Sequence, residues 1–142
     1  MLLATAESCT GGLVAAALTA IAGSSDVVDR GFVTYSNEAK HEMLGVGWDT
    51  LDKHGAVSEP VARAMARGAL TQSLSDISVS VTGVAGPGGG STEKPVGLVH
   101  VAAARAGFEL IAERHVFPGD RDGIRRLATI TALSLLASLA ER

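Results

Sequence analysis

The chain opens with a short apolar run, Leu2-Leu3-Ala4-Thr5-Ala6, followed at once by Glu7-Ser8-Cys9-Thr10-Gly11-Gly12 and then by Leu13-Val14-Ala15-Ala16-Ala17-Leu18. The first run has the length and continuity of a buried strand, and the last is built from strong helix formers. Ser8 is therefore expected at a strand-to-helix turn. Residues 23–26 break the pattern, and residues 31–35 are β-prone and predict a second strand. Ser36 or Asn37 caps a short helix through Leu44, stopped by Gly45. Residues 47–55 read as a connection with a helical turn at 50–53. Ser58-Glu59-Pro60 starts a longer helix with proline in its first turn. Its inner stripe is Val61, Met65, Ala69 and Leu70, with Arg63 and Arg67 outside. Clean alternation over 77–82 predicts the third strand, and residues 83–95 form a glycine-rich loop. Residues 96–104 and 108–116 read as the fourth and fifth strands, joined by a tight turn at Arg105-Ala106-Gly107. Asp120 is placed to cap a final helix that reaches about Leu139.

Connections then decide the topology. Strands one, two and three are linked through helices, which makes them parallel neighbours. Strands three, four and five are linked by loops alone, so strand four runs antiparallel. With strands two and three on either side of strand one, the order is 2-1-3-4-5. The switch point falls at strand one, and ligands in open α/β sheets bind beyond the carboxyl ends there. Ser8, residues 35–40 and residues 83–90 converge at that rim.

Composition narrows the field of partners. At 142 residues the chain is one domain, residues 1–142, with 46% hydrophobic and only 4% aromatic residues, so small aliphatic side chains fill its core. The net charge of −3 and the absence of a basic block argue against nucleic acid, the Arg125-Arg126 pair being too short to matter. The single cysteine excludes an intrachain disulfide or a cysteine metal cluster and suits a reducing cytoplasm. The N-terminus lacks the basic region of a signal peptide. The apolar stretch 127–140 is interrupted by Thr129, Thr131, Ser134 and Ser138 and falls short of the ~20 residues of a membrane span. The expectation is a soluble, cytoplasmic protein.

Ser8 is either a nucleophile or, with Thr10, a helix cap; convergence at the switch point favours the nucleophile. A hydroxyl needs a base. Lys40, in the first turn of a capped helix, sits where the dipole and partial burial both disfavour an ammonium, so it suits a Ser-Lys arrangement. Tyr35, at a strand exit, is placed to relay a proton, to bond the base or to stack on a flat ring. Cys9 is the rival nucleophile, read instead as a small buried side chain. Glu7 either orients Lys40 or a substrate hydroxyl, or is a plain strand-end carboxylate. The loop from Thr82 to Ser91 offers backbone N–H groups to a phosphate or carbonyl oxygen. It lacks the ending of a P-loop, which excludes a nucleotide triphosphatase. Arg121 and Arg125 share a helix face, to hold a phosphate or to pair with Asp122 and Glu113. His41, His54, His100 and His115 read as packed or surface side chains. No ligand spacing for a metal is present.

Six segments carry a family resemblance: Ala6-Glu7-Ser8-Cys9-Thr10-Gly11-Gly12, Tyr35-Ser36-Asn37-Glu38-Ala39-Lys40, Gly55-Ala56-Val57-Ser58, Thr82-Gly83-Val84-Ala85-Gly86-Pro87, Lys94-Pro95-Val96-Gly97 and Gly119-Asp120-Arg121. In this order, nearly end to end, the chain resembles the CinA C-terminal domain family. The resemblance implies a three-layer α/β/α sandwich and hydrolysis of the carboxamide of nicotinamide mononucleotide to nicotinate mononucleotide and ammonia. It also implies Ser8 as nucleophile and Lys40 as its base, with Thr10, Gly11 and the Gly83–Gly86 loop as substrate or oxyanion contacts. Together the two readings place Ser8, Lys40 and Tyr35 as catalytic residues. Glu7, Thr10, Gly11, Gly12, Thr82, Gly83, Ala85, Gly86 and Arg121 surround a small nucleotide substrate, and no metal or cofactor is expected. Family members usually carry a helix before the first strand, where this sequence starts almost on the strand; an uncovered sheet face would favour a homo-oligomer. The pyrophosphatase-like domain of longer relatives has no counterpart, and its activity is not expected. The alternative is a nucleotide-sensing or partner-binding module, linked to competence or DNA damage, without turnover.

Overall fold

A computed structural model describes residues 1–142. Five strands form one sheet: β1 (Leu3–Glu7), β2 (Val28–Val33), β3 (Ile77–Gly83), β4 (Leu98–Arg105) and β5 (Ile111–Val116). The order is β2-β1-β3-β4-β5. β1 is parallel to both β2 and β3, and β4 is antiparallel to β3 and β5, as the connections predict. The helices are α1 (Leu13–Thr19), α2 (Asn37–Leu44), α3 (Trp48–His54), α4 (Glu59–Thr71) and α5 (Arg121–Ala140), with a 3₁₀ turn at Ser24–Asp26.

The strand period of two sorts the sheet into two unlike faces. Ile77, Val79, Val81, Val99, Val101 and Ala103 point towards α5, where Ile124, Ala128, Ala132, Leu136 and Leu139 complete a large aliphatic cluster with Val14 of α1. Full burial of a side chain such as Ile124 or Leu139 contributes about 1.5–3 kcal/mol. The opposite face is lined by small residues, with Ala102 and Ala104 against Ala62 and Ala66 of α4. There α4 approaches closely enough for Ser78 and Ser80 to donate hydrogen bonds to the carbonyls of Ala66 and Ala62, both at 2.6 Å. Ala4, Ala6, Leu44, Val46, Leu51, Val61 and Met65 join α2, α3 and α4 on that side. α5 has the length and mean hydropathy of a membrane span, but its apolar stripe lies on the sheet.

Several boundaries differ from the sequence reading. β2 starts and ends earlier than residues 31–35, because its register with β1 runs from Leu3 opposite Val28 to Glu7 opposite Val33. Thr34 and Tyr35 consequently form the exit of the strand. Residues 48–54 make a full helix where one turn is expected. β4 begins at Leu98, one residue after Gly97, whose φ of 96° departs from strand geometry although its N–H still donates to the Val84 carbonyl and its carbonyl accepts from Phe117 N. β5 begins at Ile111, where its pairing with Ala103 starts.

Candidate active site

The turn after β1 is built around Glu7. Its side chain is 1% exposed, and its carboxylate accepts hydrogen bonds from Thr10 Oγ1 at 2.6 Å, Gly12 N at 3.3 Å, Val14 N at 2.9 Å and Ala15 N at 3.1 Å. A buried carboxylate thus satisfies the orphan donors at the start of α1 and lies at the positive end of its dipole. Gly12, at φ 113°, takes a backbone conformation that a side chain would strain. Ser8 emerges from this turn, held by its own amide to the Val81 carbonyl of β3 at 2.9 Å.

Lys40 arrives from α2, which begins where Ser36 Oγ accepts from Ala39 N at 3.0 Å. Ser36, not Asn37, is the cap. The Lys40 side chain is 1% exposed, with Nζ 3.0 Å from Ser8 Oγ and 2.8 Å from the Thr34 carbonyl oxygen. It forms no ion pair. Burial pushes its pKa down from the ordinary 10.5, with Cys9 opposing that shift to a smaller extent. With one N–H donated to the Thr34 carbonyl, the lone pair of a neutral amine is free for the hydroxyl hydrogen of Ser8.

Ser8 and Lys40 lie in a cleft of about 230 Å³ that is also lined by Tyr35, Thr82, Gly83, Ala85 and Arg121, with Cys9, Ala56 and Val57. Thr82 donates its hydroxyl to the Ala56 carbonyl at 2.8 Å, which leaves its oxygen lone pairs unused. Arg121, the first residue of α5, donates to the Gly86 carbonyl at 2.8 Å and to Tyr35 Oη at 3.3 Å. Tyr35 is 63% exposed. Arg121 has no carboxylate partner, so its charge is available to an anion. Ala85 and Arg121 also line a second cleft of about 490 Å³, shared with Asp120 and Asp122.

Five residues expected around substrate stand elsewhere. Glu7 and Thr10 are consumed by each other and by the cap of α1. Gly11 and Gly12 shape the turn through positive φ, and Gly86 meets Arg121 through its carbonyl. None of the five lines the Ser8 cleft. Arg125 pairs with neither Asp122 nor Glu113 and binds the turn's backbone instead. Cys9 packs in the α5-side core, and burial raises its thiol to about 11, which leaves it inert beside Ser8. No histidine borders the cleft: His41 bonds the Val46 carbonyl, and His115 pairs with Glu113. The sequence reading had no signal for the Thr34 carbonyl. Ala56 and Val57 were marked only as part of the Gly55–Ser58 segment.

Comparisons with known proteins agree with this architecture. The family description "CinA C-terminal domain" matches residues 1–140. The chain is 60% identical over 132 residues to nicotinamide-nucleotide amidohydrolase PncC of Escherichia coli, covering 93% of this chain and 80% of that protein. It is 54% identical over 134 residues to a CinA-like protein of Syntrophobacter fumaroxidans, covering 94% of this chain but 31% of that longer one. Among solved structures, competence/damage inducible protein CihA of Agrobacterium tumefaciens superposes with a TM-score of 0.97 at 54% identity, covering 99% of this chain and 86% of that one. Fold, motifs and end-to-end identity lead to one assignment: the chain belongs to the CinA C-terminal domain family.

Proposed function

We propose that the chain hydrolyses the carboxamide of nicotinamide mononucleotide, releasing nicotinate mononucleotide and ammonia, through Ser8 and Lys40. The observation that carries the mechanism is a buried lysine without a counter-ion, 3.0 Å from a serine hydroxyl. Similarity to the amidohydrolase relatives at 54–60% identity supports the substrate. Neutral Lys40 takes the Ser8 proton as Oγ attacks the carboxamide carbon. The resulting ammonium gives that proton to the departing nitrogen, and ammonia leaves an acyl-serine. Lys40, neutral again, removes a proton from water, which attacks the ester and frees Ser8 and the carboxylate product.

The clefts suit an elongated substrate with a small head. The Ser8 cleft is below the ~300–1,000 Å³ typical of pockets that enclose a whole drug-sized ligand. It takes the carboxamide ring, with Tyr35 at its rim. Ribose and phosphate extend past Arg121 into the neighbouring cleft, where the guanidinium offers a planar pair of donors to the phosphate.

Ammonia release from nicotinamide mononucleotide tests the reading directly. The parent turns over, and Ser8→Ala and Lys40→Met each lose at least about a thousandfold in kcat. Turnover by Ser8→Ala at the parent rate would remove the mechanism. Tight nucleotide binding by the parent without product would instead leave the binding-module alternative.

A further inference from the structure

Two segments singled out in the sequence, Gly55–Ser58 and Lys94–Gly97, take no direct part in the Ser8–Lys40 chemistry, and the fold ties them together. The crossing between α3 and α4 runs along the Ser8 cleft, where Ala56 and Val57 form part of the wall. Three successive carbonyls of this crossing each accept from a side chain. Lys94 Nζ donates to the His54 carbonyl at 2.5 Å, Ser58 Oγ to the Gly55 carbonyl at 2.8 Å and Thr82 Oγ1 to the Ala56 carbonyl at 2.8 Å. Irregular backbone has no ladder to hold it, so donors of this kind set where it lies. Ser58 belongs to the crossing itself and Thr82 to β3. Lys94 alone reaches it from the end of the glycine-rich loop, 40 residues further along the chain.

Lys94 is fixed at its own base. Its amide donates to Ser91 Oγ at 3.0 Å, and its carbonyl accepts from Ser91 N at 2.9 Å. Pro95 behind it confines the Lys94 backbone to extended conformations. The ammonium forms no ion pair, so the His54 carbonyl is the acceptor that its charge serves. A carbonyl facing a full charge makes a stronger bond than one facing a hydroxyl. Gly55 follows with φ 76°, and a Cβ there would stand 2.7 Å from Lys94 Nζ. Glycine thus lets the ammonium pass close to the backbone. Lys94 lines neither cleft and bonds to neither β1 nor α2.

Resting on the acyl transfer proposed above, we propose that Lys94 is a positioning residue for substrate binding. It straps the α3–α4 crossing to the glycine-rich loop and so sets the wall, Ala56 and Val57, against which the flat ring of the substrate packs. That wall meets the ring alike before and during the reaction. The hydroxyl and the amine that react are carried by the β1 turn and by α2, which the strap does not hold. Loss of the strap therefore weakens ground-state and transition-state binding together, so KM rises and kcat stays.

The test compares the parent with Lys94→Met and Lys94→Arg. Steady-state ammonia release from nicotinamide mononucleotide gives KM and kcat. Labelling of Ser8, followed by intact mass, uses two fluorophosphonates, one bearing a small alkyl group and one a phenyl ring. With each, Ser8 Oγ bonds phosphorus, fluoride leaves and Lys40 takes the proton. In Lys94→Met, KM rises about five- to twentyfold with kcat within about twofold. The phenyl reagent slows by a similar factor while the alkyl reagent keeps its parent rate, and residues 55–58 exchange their amide hydrogens faster. Lys94→Arg restores most of the parent KM and of the phenyl-to-alkyl ratio, since one carbonyl needs one charged donor. Lys94→Gln, shorter and uncharged, decides on the same quantities if the methionine variant fails to fold. An unchanged KM and reagent ratio, a fall in kcat at constant KM, equal slowing of both reagents, or a loss that arginine leaves unrelieved would overturn the proposal. A parent labelled at Ser8 that releases no ammonia from this nucleotide would remove the substrate reading, and the reagent ratio would still judge Lys94. A parent neither labelled nor active would remove the acyl transfer and the role of Lys94 with it.

Discussion

Lys40 suits the role of base proposed for it because it is buried among neutral partners. Taking an ammonium out of water favours loss of its proton, and neither the Ser8 hydroxyl nor the Thr34 carbonyl supplies the negative charge that would hold it. Its pKa therefore lies below 10.5, and in the proposed mechanism the neutral amine is the reactive form. We expect kcat/KM to rise with pH as Lys40 deprotonates and to level off at a midpoint below 10.5. A pH–rate profile whose acid limb sits at or above the ordinary lysine value would contradict this. Glu7 is the second residue on which the site depends. Glu7→Gln replaces one acceptor oxygen by an NH₂ facing donors that are already buried, so it leaves an unsatisfied group at the start of α1. We expect a loss of about 1–3 kcal/mol in urea denaturation. At this scale the sequence carried Ser8, Lys40, Tyr35, Thr82 and Arg121 to the cleft by residue type and rim position. It left Glu7 and Thr10 open between structural and substrate roles, because a carboxylate that caps a helix and one that meets a substrate have the same sequence. What separates them is where four backbone and side-chain donors sit, and these come from residues up to eight positions ahead.

Helices carry Lys40 and Arg121 to the site, and the spacing of α2 is set by a small residue. On α4, Gly68 sits against the carbonyl of Leu44, the last residue of α2, and a Cβ there would overlap that backbone. Gly68→Ala is expected to push the end of α2 outward, at a cost of about 1–3 kcal/mol, and to draw Lys40 away from Ser8. Activity should fall by more than the fraction unfolded explains, as measured by parallel ammonia assays and thermal melts. A variant with parent activity and stability would show that α2 yields without moving its lysine. Element types were legible from pattern alone: the alternation of β3, the proline in the first turn of α4 and the caps at Ser36 and Asp120 are local signals. Strand ends were not, since β2 stops where its register with β1 runs out. Thr34 leaves the strand as Glu7 does, and that pairing depends on a segment more than twenty residues away.

For the whole molecule, the buried lysine is a burden on stability. Its folded-state pKa is below its unfolded one, so below the folded pKa the fold carries the full cost of enclosing a proton-binding amine. That cost is relieved as pH rises from the folded pKa towards 10.5, because the folded protein releases its proton first. Lys40→Met removes it, and we expect this variant to be about 0.5–2 kcal/mol more stable than the parent at pH 7. The advantage should shrink as pH approaches 10.5; denaturation curves at several pH values give the answer, and a constant or growing difference would refute the linkage. The sequence by itself determined the order of elements, the 2-1-3-4-5 sheet and the rim at which Ser8 and Lys40 meet. Those follow from hydrophobic period and from the kind and length of each connection, all of which are written along the chain. Only the tertiary structure decided that Glu7 faces inward, that Ser78 and Ser80 tie β3 to α4, and that Arg125 reaches the Ser8 turn. Each of those contacts joins groups whose neighbours come from distant segments, so their partners exist only once the layers have packed.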